Sequence, residues 1–132
     1  MNRALIVILT LGLLISTTAA ERAKESIIGV WRFTKSESSD KKYKNPTGDM
    51  EMEFREGGKY VMKYVAPKAG VKQVQTVEAK FTLIAPDRVN VSLDGKTQEK
   101  YRYKFNGGLL QLEHTEFPVT NTFKRIDKFT LK

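Results

Sequence analysis

The chain has no cysteine and a single histidine, His114. Without cysteine there is no disulfide scaffold, no thiolate metal site, no cysteine nucleophile and no thiol-linked lipid anchor. One imidazole cannot make a histidine-rich metal site or a histidine relay. Acidic residues are in the minority, 15 Asp and Glu against 23 Lys and Arg, which gives a net charge of +8. After Ala20 no segment of ten or more residues shows helical spacing. A length of 132 residues, with 40% hydrophobic and 29% charged, suits one globular domain and little more.

What is present begins with an address. Asn2 and Arg3 form a short positive start, Ala4 to Ile15 is a mostly apolar run, and Ser16 to Ala20 are small. Thr18 and Ala20 suit the positions before a cut at Glu21, so residues 1–20 read as a secretory signal peptide, an N-terminal signal helix. The competing reading is a retained anchor. Ala4 to Ala20 is seventeen uncharged residues, at the lower limit of the roughly 17–25 that span a bilayer. The small and polar end favours cleavage and leaves no stable membrane span. The expected organisation is a signal peptide over 1–20 and one domain over 21–132, secreted or periplasmic. Its net charge is +7 once Arg3 is gone, and it retains all seven Phe, five Tyr and Trp31.

Beyond Ala20 the apolar spacing changes to alternation, the mark of strands with one buried face. Gly29-Trp31-Phe33, Met50-Met52-Phe54, Tyr60-Met62-Tyr64, Val77-Ala79-Phe81-Leu83, Val89-Val91-Leu93 and Tyr101-Tyr103-Phe105 each interleave with polar residues. Leu110-Leu112 and a last run near Thr120–Ile126 complete eight strands. Between them lie Glu56-Gly57-Gly58, Ala85-Pro86-Asp87, Asp94-Gly95 and Asn106-Gly107-Gly108, which supply the positive φ angles of tight hairpins. Such short links join antiparallel neighbours. Only Lys35–Gly48 and Ala66–Gln75 read as long connections, and Ala20–Ser26 as a turn or two of helix. The fold class is all-β. Hairpin after hairpin favours an up-and-down antiparallel barrel of eight strands over a two-sheet sandwich. A barrel of this size is either filled by side chains or holds one small ligand.

Gly29-Val30-Trp31 in the first strand and Phe123-Lys124-Arg125 in the last resemble the signature of the lipocalins and the wider calycin group. The pattern is most similar to small bacterial lipocalin-like secreted domains. The resemblance implies that Trp31 sits at the closed end of the barrel with Arg125 across its ring. A guanidinium on an indole within about 6 Å contributes roughly 0.5–2 kcal/mol. The chain departs from full lipocalins in length, with only Asp127–Lys132 after the last strand, which argues against a deep cup for a large ligand.

Signs of catalysis are sparse. His114, beside Glu113 and Glu116, has no evident nucleophile to serve and reads as a strand-end residue. Asp49, Glu51 and Glu53 share one strand face, but the alternation turns them outward, opposite Lys59 and Lys63, as cross-strand charge pairs. Lys100, Arg102 and Lys104 form an outer basic row. The Gly57-Gly58 and Gly107-Gly108 pairs precede no helix and cannot cradle a phosphate. Asn90-Val91-Ser92 matches a glycosylation acceptor and is read as chance. Lys41, Lys42 and Lys44 cluster around Tyr43 in the first long connection. With the net charge they suit an anionic partner of the cell envelope; nucleic acid ranks last for an exported protein.

The inward row is the candidate site: Met50, Met52, Tyr60, Met62, Tyr64, Phe81, Tyr101 and Tyr103. Thioethers adapt to varied shapes, and phenols orient polar groups. Two readings stay open, ranked ahead of a third, an enzyme using the barrel mouth. One is a non-enzymatic, lipocalin-like binding protein for a small apolar or amphipathic ligand, with Lys35–Gly48 at the mouth. The other is a filled barrel that works through its outer face as an envelope inhibitor or interaction module. Neither needs a metal or cofactor.

Overall fold

A computed structural model describes residues 26–43, 48–68 and 70–132. The address segment and Lys44 lie outside these residues, as does all of the expected Ala20–Ser26 turn except Ser26. Eight strands follow in order: β1 (Gly29–Ser38), β2 (Met50–Arg55), β3 (Lys59–Lys68), β4 (Val71–Ile84), β5 (Arg88–Ser92), β6 (Gln98–Asn106), β7 (Leu109–His114) and β8 (Val119–Ile126). Each pairs antiparallel with the next, and β8 pairs with β1 to close the barrel. Closure removes the free edges that an open sheet would expose.

The alternating rows point as their period requires. Trp31, Met52, Phe54, Val89, Leu110 and Phe123 are buried in the interior, while Lys100, Arg102 and Lys104 are exposed on the outside. The lower end is filled by rings. Trp31 lies 6.1 Å from Phe105, and Phe54 meets Phe81 edge-on at 5.0 Å. The Trp31 indole N–H donates to the Ile27 carbonyl at 2.8 Å. Arg125 covers the indole from outside, its guanidinium carbon 4.2 Å from the ring centroid. Its two terminal nitrogens donate to the Ile28 and Ser26 carbonyls at 2.9 and 2.8 Å. Gly29 is required here. Its φ is +138°, and a Cβ on it would stand 2.5 Å from Arg125 Nη1.

Three expectations are corrected. The Ala66–Gln75 segment is not a loop but the far end of one hairpin, paired from Ala66↔Gln73 to Lys68↔Val71. Pro67 and Gly70 interrupt the polar alternation and hide the strand in the sequence. Lys35–Gly48 is likewise shortened, because β1 runs on to Ser38. The register shifts between Phe33 and Lys35, and this bulge at Thr34 breaks the period of two just where the residues turn polar. Thirdly, Glu51 points outward but is fully buried. The residues after Ile126 fold back over the outer face of β2 and β3. Glu51 accepts from the backbone N–H groups of Thr130 and Leu131 at 2.8 and 2.9 Å and from the Thr130 hydroxyl. Lys63 stands opposite Glu51 in the register, as expected, but donates to the Leu131 carbonyl at 3.5 Å and lies 4.8 Å from the Phe129 ring centroid. Val30 and Val61, also on outward rows, are buried.

Candidate functional site

Above the aromatic floor the barrel is hollow. A cavity of about 200 Å³ lies among Met52, Met62, Tyr60 and Tyr101, with Glu99 and Asn121 on its wall. A second, more apolar hollow of about 310 Å³ lies among Met50, Tyr64, Val65 and Val77. The two share Met50, Met62 and Leu93 as walls. Strand stagger opens the second one. The register of β4 with β5 begins at Lys80↔Ser92, so Val71–Ala79 pair with β3 alone.

Most of the inward row expected from the sequence meets at this hollow. Met50, Met52, Tyr60, Met62 and Tyr101 line the inner cavity, and Tyr64 lines the outer one. Phe81 and Tyr103 line neither. Phe81 belongs to the floor against Phe54, and Tyr103 packs edge-on against Phe105 at 6.0 Å. They share the inward phase but sit too far down the tilted strands. Phase fixes the face of a residue, not its height.

The cavity wall holds polar groups that the alternation also contains. Glu99 shares the row of Tyr101 and Tyr103, so a period of two carried one step back brings its carboxylate inside. Asn121 shares the row of Phe123, and Ser36 stands opposite Asn121 in the register. The Tyr101 hydroxyl donates to Glu99, and the Tyr60 hydroxyl donates to the Met52 sulfur at 3.7 Å. Burial, with Glu99 adding its negative charge, raises both phenols well above the ordinary tyrosine value. Both therefore stay protonated and their hydrogens stay committed. The buried Asn121 Oδ1 and Ser36 Oγ have no hydrogen-bond partner.

His114 ends β7 and stacks on Tyr101 at 4.4 Å and on Phe117 at 5.6 Å. Phe117 in turn meets Tyr43 at 5.5 Å. An aromatic line thus climbs from the cavity to the first loop, where Lys41 and Lys42 are exposed. Among the described residues no group of three or more His, Asp or Glu is placed to hold a metal ion.

The likeness to solved structures is one of fold. An uncharacterized protein from Bacteroides eggerthii DSM 20697 superposes with a TM-score of 0.58 at 10% identity, covering 76% of this chain and all of that one. Two point mutants of the fluorescent protein UnaG are also found. One has a TM-score of 0.39, 12% identity and coverage of 76% and 96% of the two chains; the other has 0.37, 12%, and 74% and 94%. No protein-family model matches the chain, and no curated protein matches it.

Proposed function

We propose that this chain is a non-enzymatic, lipocalin-like binding protein, exported to the periplasm or beyond, that holds one small apolar or amphipathic molecule inside its barrel. The observation that carries this reading is the pair of adjoining hollows between Met50, Met52, Met62 and Leu93. Together they fall in the range of about 300–1,000 Å³ typical of small-molecule sites. A filled barrel would close that space, because protein interiors leave few voids larger than a water molecule. Flexible thioethers on three of the walls suit a guest of variable shape. The address pattern of residues 1–20 supports export. The exposed Lys41 and Lys42 at the first loop suit approach to an anionic envelope surface.

The test is to fill the hollow. Val77→Phe and Leu93→Phe place rings in the outer hollow, at the rim. The wild-type chain is expected to bind the apolar dye N-phenyl-1-naphthylamine in a saturable way, seen as a rise in its fluorescence. The filled variants are expected to lose that rise while melting within a few degrees of wild type. Equal dye binding by the filled variants contradicts the reading.

A further inference from the structure

The charge inside the hollow selects the head group of its guest, an inference that rests on the binding reading above. Every hydroxyl hydrogen located in the inner cavity is already spent. Tyr101 donates to Glu99, and Tyr60 donates to Met52. What remains on the wall is the Glu99 carboxylate and the Asn121 amide. Tyr101 occupies Oε2 of Glu99, which leaves Oε1 open, and Asn121 Oδ1 is buried without a partner. Among the described residues no Lys or Arg forms an ion pair with Glu99. Among the described residues no basic one lines either hollow. An unpaired carboxylate and an orphan amide oxygen in one apolar chamber are costly when left unmade. A guest that brings N–H donors and a positive charge relieves both.

We propose that the cavity takes a protonated alkylamine, with its ammonium head against Glu99 and Asn121 and its apolar body between Met50, Met62 and Leu93 toward the mouth. A carboxylate or phosphate head is disfavoured, since it would sit beside the Glu99 carboxylate with no cation among the described lining residues to hold it. The net charge of +8 does not oppose this. Surface charges are screened beyond about 8–10 Å at ordinary ionic strength. The Glu99 carboxylate, on the cavity wall and only partly exposed, acts at contact. The surface and the cavity therefore carry opposite signs, and each selects for itself.

Three probes with one tail test the head group: octylamine, octanol and octanoate, titrated calorimetrically into the full chain at neutral pH. Octylamine is expected to bind at least tenfold more tightly than octanol, and octanoate most weakly. Glu99→Gln keeps the shape and is expected to erase the preference for the amine while octanol binding persists. Glu113→Gln, an exposed carboxylate on β7, is the control and is expected to change nothing. Asn121→Leu, on a different strand, is expected to weaken octylamine several-fold and to leave octanol bound, which keeps the test decisive if Glu99→Gln fails to fold. Equal or stronger binding of octanol or octanoate by wild type overturns the amine assignment while the hollow stands. So does a preference that survives Glu99→Gln. Absence of binding by all three probes removes the hollow as a site, and the head-group assignment with it.

Discussion

Glu51 shows how one side chain decides what the outer face does. Burial alone would raise its pKa. The Thr130 hydroxyl, the Leu131 and Thr130 N–H groups and the Arg32 guanidinium outweigh it and hold the carboxyl below its ordinary 4.5. A lowered folded value means that the carboxylate stabilises the fold fully above 4.5 and loses that contribution as pH falls through the folded value. Glu51→Gln is therefore expected to cost about 1–3 kcal/mol at pH 7. It should also flatten the acid side of the stability profile, read from thermal melts between neutral pH and pH 3. Identical acid sensitivity in both proteins would contradict this. Gly29 is the second residue of this kind. Gly29→Ala forces an unfavourable φ and displaces Arg125, and is expected to cost at least about 1–3 kcal/mol by denaturant melt. A melt unchanged from wild type would mean that the Trp31–Arg125 closure is not held as described. The sequence makes Gly29, Trp31 and Arg125 visible as a pattern. It does not show that Glu51 is covered, because the covering residues Phe129 to Leu131 lie far along the chain and have no alternation of their own.

Elements are legible where their period is unbroken and hidden where it breaks. Met50 to Arg55 and Lys100 to Phe105 declare themselves, since each polar residue faces water and each apolar one the core. Beyond Thr34 the bulge shifts the phase, and at the upper ends of β3 and β4 the apolar residues Val65, Ala66, Val71 and Val74 do not alternate, so neither extension has a pattern to read. The same phase rule, carried one step back from Tyr101, places Glu99 inside. An acidic residue in an otherwise aromatic row is a signal the sequence contains. Two consequences follow at this scale. Val71–Ala79 hydrogen-bond to β3 alone, so their amides facing the gap are expected to exchange with solvent well before those of β1 and β8. Uniform protection along β4 would contradict the open side. Truncation after Ile126 strips the partners of Glu51 and uncovers it. It is expected to cost about 2–4 kcal/mol, read from urea midpoints, with the barrel still formed by far-ultraviolet circular dichroism.

Taken as a whole, the molecule is a short barrel with a solid end and a hollow end. Rings fill the floor, where Trp31 meets Phe105 and Phe54 meets Phe81. Methionines and tyrosines surround the space above, among them Met50, Met52, Met62 and Tyr101. Composition predicts one domain without disulfides, and the hairpins predict its topology. Whether the inside is filled depends on strand stagger, which no local pattern encodes. The hollow is therefore the central claim, and its walls carry their own reporters. Of the four methionines, Met50, Met52 and Met62 line it. The most direct measurement is a proton–carbon methyl spectrum of the chain with labelled methionine, followed as octylamine is added. Saturable shifts of the Met50, Met52 and Met62 methyls at one equivalent, with the Trp31 indole signal at the closed end unmoved, are the predicted result. Methyl signals that stay in place with octylamine, octanol and octanoate each in excess would contradict the hollow.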